Sequence, residues 1–136
     1  MYEDYKENQV FIGMQFKGMD DIHSVLKLAC ENCGLYSVRV DEHVNSNSII
    51  DDIKEMIEQS EFIILDLTHE NPNVYYELGY ADGAGNEGSD ILLIAKEGTK
   101  LHFDVIARRV SFYKDAFDLQ EQLTVKLPQF RDGGRK

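Results

Sequence analysis

The stretch Phe62-Ile-Ile-Leu-Asp-Leu-Thr-His-Glu-Asn-Pro-Asn-Val-Tyr-Tyr-Glu-Leu-Gly-Tyr-Ala81 decides the fold of this chain. Its first four residues are apolar without alternation, the pattern of a strand covered on both faces and therefore central in a sheet. Asn71-Pro72 then reads as an N-cap followed by a first helical residue, because proline's missing N–H costs nothing at that position. In the helix so started, Val74, Glu77, Leu78 and Ala81 share one face. A carboxylate thus sits within the apolar stripe. Asp66, directly after the buried run, lies at the carboxyl end of the strand, so both acidic groups are placed to face one crevice.

Working outward, the run Gln9–Met14 reads as a strand ending at a glycine, and Asp20–Cys33 as an amphipathic helix closed by Gly34. Leu35–Val40 alternates as a second strand. Asn45-Ser-Asn-Ser48 offers N-caps for a helix reaching about Ser60, with Ile49, Ile50, Ile53, Met56 and Ile57 on its apolar face. The third helix fades in the glycines from Gly83 to Gly88. Ile91–Ala95 repeats the buried-strand pattern, Arg109–Tyr113 fits an edge strand, and Ala116–Leu127 a last helix. Strands alternating with helices require right-handed crossovers. The expected architecture is a three-layer, flavodoxin-like (Rossmannoid) α/β domain with a parallel sheet of about five strands. It spans residues 9–130, after an N-terminal extension at 1–8 and before a flexible polar tail at 131–136. Ligands of such sheets bind beyond the carboxyl ends of the strands, here the loops 14–19, 41–48, 66–72 and 96–107.

Composition narrows the function. The 136 residues suffice for one domain, and 43% hydrophobic content supports a packed core. With 14 basic against 25 acidic side chains, the formal charge is −11, which repels polyanions and argues against nucleic acid as a partner. No stretch approaches the roughly eighteen apolar residues of a membrane span. The first residues are charged rather than signal-like, so a soluble, cytoplasmic protein is expected. Cys30 and Cys33 spell Cys-Glu-Asn-Cys, but they close a helix rather than open one after a strand, which fits structural thiols better than a redox pair. His23, His43, His69 and His102 lack metal-ligand spacing, and neither a metal nor a cofactor is expected. Gly83, Gly85 and Gly88 match G-x-G-x-x-G by accident, since they end a helix and precede a strand, the reverse of the dinucleotide fingerprint.

The candidate site residues each admit two readings. Glu77 is a functional carboxylate, or it lies at the margin of its stripe and bonds a neighbouring loop. Asp66 serves the same site, or it caps the following loop. Gly13-Met-Gln-Phe16 could bring backbone amides to a phosphate or ribose. Arg39 could hold a phosphate or pair with Asp41. His69 shares the loop of the carboxylates, or is an ordinary surface residue.

Taken together, Val10–Phe16, Ile63–Thr68, Asn71–Ala81 and Phe103-Asp-Val with Arg109 and Tyr113 resemble the nucleoside 2-deoxyribosyltransferase-like proteins, which are related to TIR domains. The resemblance covers residues 9 to 113. It implies cleavage of an N-glycosidic bond in a nucleoside, nucleotide or NAD-like small molecule, with Glu77 as the nucleophile and Asp66 assisting. It places Gly13, Met14, Gln15, Phe16, Arg39, Asp41, His69, Asn73 and Tyr76 around the substrate. Relatives often complete their pocket across a subunit interface, which implies a homo-oligomer, and many bacterial relatives serve anti-phage defence, which implies a protein partner from the same system. Met14-Gln15-Phe16 departs from the Gly-Pro turn of true transferases. The alternative is a non-catalytic TIR-like module that binds a nucleotide or assembles through its faces.

Overall fold

A computed structural model describes residues 5–40, 49–85, 90–102 and 108–135. The run that decides the fold becomes the middle strand. Lys6–Gly13 forms β1, Tyr36–Val38 β2, Ser60–Asp66 β3, Ile91–Lys96 β4 and Val110–Tyr113 β5. They form one five-stranded sheet in the order β2-β1-β3-β4-β5. Every pairing is parallel, so β3 has a partner on each side and buries both faces. The helices are α1 (Asp20–Asn32), α2 (Ile49–Gln59), α3 (Pro72–Gly83) and α4 (Ala116–Gly134). This is the flavodoxin-like α/β arrangement that the alternation of patterns implies.

Strand residues alternate between two cores. Phe11, Ile63, Leu65, Leu93 and Ala95 pack with Ile53, Ile57, Val74 and Leu78 of α2 and α3. Val10, Ile12, Phe62, Ile64, Ile94 and Tyr113 pack on the other face with Ile22 and Leu26 of α1 and Leu119, Leu123 and Leu127 of α4. This parity fixes which strand-end side chains can meet.

Two boundaries differ from the sequence reading. β1 begins at Lys6 rather than Gln9, so part of the supposed N-terminal extension lies in the sheet. The last helix continues through Pro128 to Gly134, where a polar tail was expected from Arg131. Proline removes one backbone donor but does not end a helix whose flank stays anchored. Phe130 packs its ring 5.2 Å from that of Phe62, and Arg131 donates to the Cys33 carbonyl at 2.7 Å. The close of α1 is as expected: Leu35 N–H bonds the Cys30 carbonyl at 2.8 Å, and Gly34 adopts φ 81°. Burial pushes the Cys30 thiol up to about 12 and raises that of Cys33, so both are protonated and fit the structural reading.

Candidate functional site

Glu77 is buried on α3, in the same stripe as Val74, Leu78 and Ala81. The local sequence explains its delivery there. The Asn71 side chain accepts from Asn73 N–H at 2.9 Å, capping the helix with Pro72 in its first turn, and the stripe then turns Glu77 toward the sheet. At the carboxyl end of β1 its carboxyl group meets Gly13. A Cβ on Gly13 would come within 2.7 Å of Glu77 Oε1 and 2.6 Å of Leu65 Cδ2. The glycine is therefore the notch that receives the carboxyl group. Among the described residues no donor bonds it, so the reading in which Glu77 ties down a neighbouring loop has no support there. Burial alone raises its pKa to about 8.

The carboxyl group opens onto a cleft of about 330 Å³ lined by Ile12, Met14, Phe16, Val40, Ile50, Ile53, Asn71, Asn73, Tyr76 and Glu77. Two half-exposed aromatic rings, Phe16 and Tyr76, stand in its wall, and the Asn71 and Asn73 amides supply polar groups. The Arg39 guanidinium lies 5.0 Å above the Phe16 ring centroid, a cation–π contact that stiffens this wall. An apolar cleft with few polar groups and one shifted carboxyl is the form of a small-molecule site. It lies beyond the strand ends, where parallel sheets bind ligands.

Of the expected site residues, Gly13, Met14, Phe16, Asn73, Tyr76 and Glu77 come together, with Arg39 behind Phe16. Gln15 turns its amide to the Lys17 carbonyl at 2.9 Å instead. His69 is exposed, with φ 67° in the turn between Thr68 and Asn71. Asp41 lies outside the described residues.

Asp66 requires a correction. Continuing the alternation of β3, it falls on the face of Phe62 and Ile64, opposite to the face that α3 covers. Its Oδ1 accepts from Thr68 N–H at 2.9 Å and from the Thr68 hydroxyl, and its Oδ2 accepts from Tyr113 O–H at 2.7 Å. Thr68 Oγ1 also accepts from Lys96 N–H at 2.9 Å. Burial raises the Asp66 pKa and these bonds oppose the rise. Asp66 is thus a buried clamp joining the ends of β3, β4 and β5, not a lining residue of the Glu77 cleft. Ile12, Val40, Ile50, Ile53 and Asn71 line the cleft without having been singled out as site residues. Their signal was only apolar or capping, and core positions carry the same one.

Comparison with solved structures agrees with this topology. A prokaryotic SEFIR domain matches with a TM-score of 0.59 at 14% identity, over 90% of this chain and 91% of that one. The TIR domains of the activated Roq1 resistosome, which directly recognises the pathogen effector XopQ, match at 0.56 and 15% identity, over 93% and 80%. The chain has a TIR-like fold. A diflavin flavoprotein A3 from Nostoc sp. matches at 0.55 and 11% identity, over 93% and 94%, as expected if the TIR-like fold is a variation on the flavodoxin plan. At these identities the likeness is one of fold. No protein-family model and no curated protein matches the sequence.

No helix among the described residues is long and apolar enough to cross a membrane. No group of three or more metal-ligating side chains occurs among them either.

Proposed function

We propose that the chain cleaves an N-glycosidic bond in a nucleoside, nucleotide or NAD-like small molecule, with Glu77 as the nucleophile. The observation that carries this reading is the buried Glu77 carboxyl group, unbonded among the described residues and open to a cleft of ligand size. As the bond from the anomeric carbon to the base nitrogen breaks, its electron pair leaves with the base and the sugar becomes oxocarbenium-like. A carboxylate beneath the ring stabilises that charge, then closes on the carbon as a glycosyl ester. Water hydrolyses the ester, releases the sugar and returns Glu77.

The pKa of about 8 keeps the empty site largely neutral at pH 7, whereas attack needs the carboxylate. A positive charge on the arriving substrate lowers that pKa and ionises the group in place. A base already positively charged also departs as a neutral molecule and needs no proton donor. The arrangement therefore favours an NAD-like substrate over a neutral nucleoside, whose base must be protonated as it leaves.

A second reading has its own observation. The Asp66 carboxyl group is bonded by Thr68 and Tyr113 rather than presented to the cleft, which suits a TIR-like module that binds a nucleotide without chemistry. The matched Roq1 TIR domains belong to a resistosome, which supports a homo-oligomer under either reading.

Purified protein incubated with nucleosides, mononucleotides and NAD, with base release followed by chromatography, separates the two. Turnover by the wild type and loss of at least about a hundredfold in Glu77→Gln is the expected result. Saturable binding without product establishes the module, and turnover unchanged by the substitution removes Glu77 as nucleophile.

A further inference from the structure

The outer edge of the sheet at β5 carries a feature that the cleft does not use. The Tyr113 carbonyl accepts from Glu97 N–H at 2.8 Å, so Tyr113 directs its backbone groups inward, toward the β4 side. Neighbouring residues of an extended chain point the opposite way, which turns Phe112 and Lys114 outward. Among the outward backbone groups that an added strand would use, the Phe112 carbonyl and the Lys114 N–H are already taken by α4. Gln122 Nε2 donates to the Phe112 carbonyl at 2.9 Å. Lys114 N–H donates to Asp118 Oδ2 at 2.8 Å. Gln122 Nε2 also donates to Asp118 Oδ2 at 3.0 Å, and Lys126 Nζ reaches Gln122 Oε1 at 3.3 Å and Ser111 Oγ at 3.2 Å.

Asp118, Gln122 and Lys126 follow one another at four-residue spacing, so one line along α4 lies over the strand edge. The strand beneath, Val110-Ser-Phe-Tyr113, carries the β-branched Val110 and the aromatic Phe112 and Tyr113, and Phe112 is 41% exposed. Such an edge is a template for pairing with another chain. We infer that the Asp118–Gln122–Lys126 row is an edge guard that prevents two copies of this chain from joining their sheets through β5. The excluded partner is the same edge of a second copy, lying antiparallel across a two-fold axis and making one continuous sheet. Any homo-oligomer of this chain, as proposed above, would then have to form through other faces.

The test is Asp118→Ala combined with Gln122→Ala, which frees the Lys114 N–H and the Phe112 carbonyl together. Sedimentation velocity over a concentration series should show a new association step relative to the wild type, at least about tenfold tighter than any at this edge before. The same samples should gain the infrared signature of intermolecular strand pairing. A folded variant with the wild-type association state at every concentration overturns the proposal. Hydrogen exchange on the unaltered protein provides a reading that does not depend on any variant folding. The Lys114 amide should exchange slowly; exchange at the rate of an open chain overturns the guard.

Discussion

At the scale of single residues, Glu77 and Gly13 act as a pair. The carboxyl group occupies the space where any other residue at position 13 would carry its Cβ, and burial holds it neutral to about pH 8. This has a definite sign for stability. In the unfolded chain Glu77 ionises near its ordinary value of about 4.5, and between there and pH 8 the folded state holds more protons than the unfolded one. Stability therefore falls as pH rises through that window. Glu77→Gln removes the titration, so a variant of wild-type stability at pH 5 should exceed the wild type at pH 9 by about 3–5 kcal/mol, read as a melting shift of roughly 10 °C or more. Equal pH profiles for the two proteins would show that the carboxyl group ionises freely in the fold. Gly13→Ala makes the converse change. Its methyl group displaces the ends of Glu77 and Leu65, both flexible side chains, so the folding cost should be modest, about 1–2 kcal/mol. Base release should fall at least about tenfold while near-wild-type circular dichroism persists, because the carboxyl group has lost its seat. Full activity in that variant would mean that the seat does not matter.

At the scale of elements, α3 is where sequence reading worked and β3 is where it half failed. Asn71-Pro72 and the stripe Val74, Glu77, Leu78, Ala81 specify the start, the face and the buried acid of α3 by local chemistry alone, and all of it is present in the fold. The run Phe62–Leu65 specifies a central strand, but because every residue in it is apolar it carries no mark of which residue faces which layer. Asp66 could be placed at the ligand end of β3 but not on a face. Only the packing of Ile64 with α1 and α4 shows that it points away from Glu77 and toward Tyr113. Likewise the last helix was expected to end at Leu127, and the packing of Phe130 against Phe62 explains why it continues. The importance of the cap can be measured. Asn71→Ala should cost about 1 kcal/mol in urea titration, whereas Asn71→Asp, which keeps an acceptor and adds charge at the positive helix end, should cost less. Equal losses in both variants would show that Asn71 acts as a cleft wall residue rather than as a cap.

At the scale of the whole molecule, a chain of formal charge −11 repels itself, so its few cations carry weight in holding distant segments together. Arg135 is the clearest case, and it lies in the segment whose composition suggested a mobile tail. Its guanidinium donates to both Glu61 oxygens, at 2.8 and 3.0 Å, bonds Asn8 Oδ1, and sits 5.6 Å above the Phe62 ring centroid. One side chain thereby fastens the end of α4 to the amino-terminal ends of β1 and β3, at the pole of the sheet opposite the cleft. The pair is partly exposed, so water screens much of it, and a contribution of about 0.5–1.5 kcal/mol is expected from the bidentate geometry and ring contact together. Its pH dependence follows from Glu61, whose pKa the Arg135 hydrogen bonds hold below the ordinary carboxylate value. Such a group stabilises the fold above its unfolded pKa and loses that contribution as pH falls through its folded one. Arg135→Ala should therefore melt below the wild type at pH 7, and the gap should close as acid protonates Glu61 and narrow in high salt. Because the clasp is remote from Glu77, the variant should retain wild-type ligand binding at pH 7. A stability gap that persists unchanged in acid would assign the role of Arg135 to its packing on Phe62 rather than to its charge.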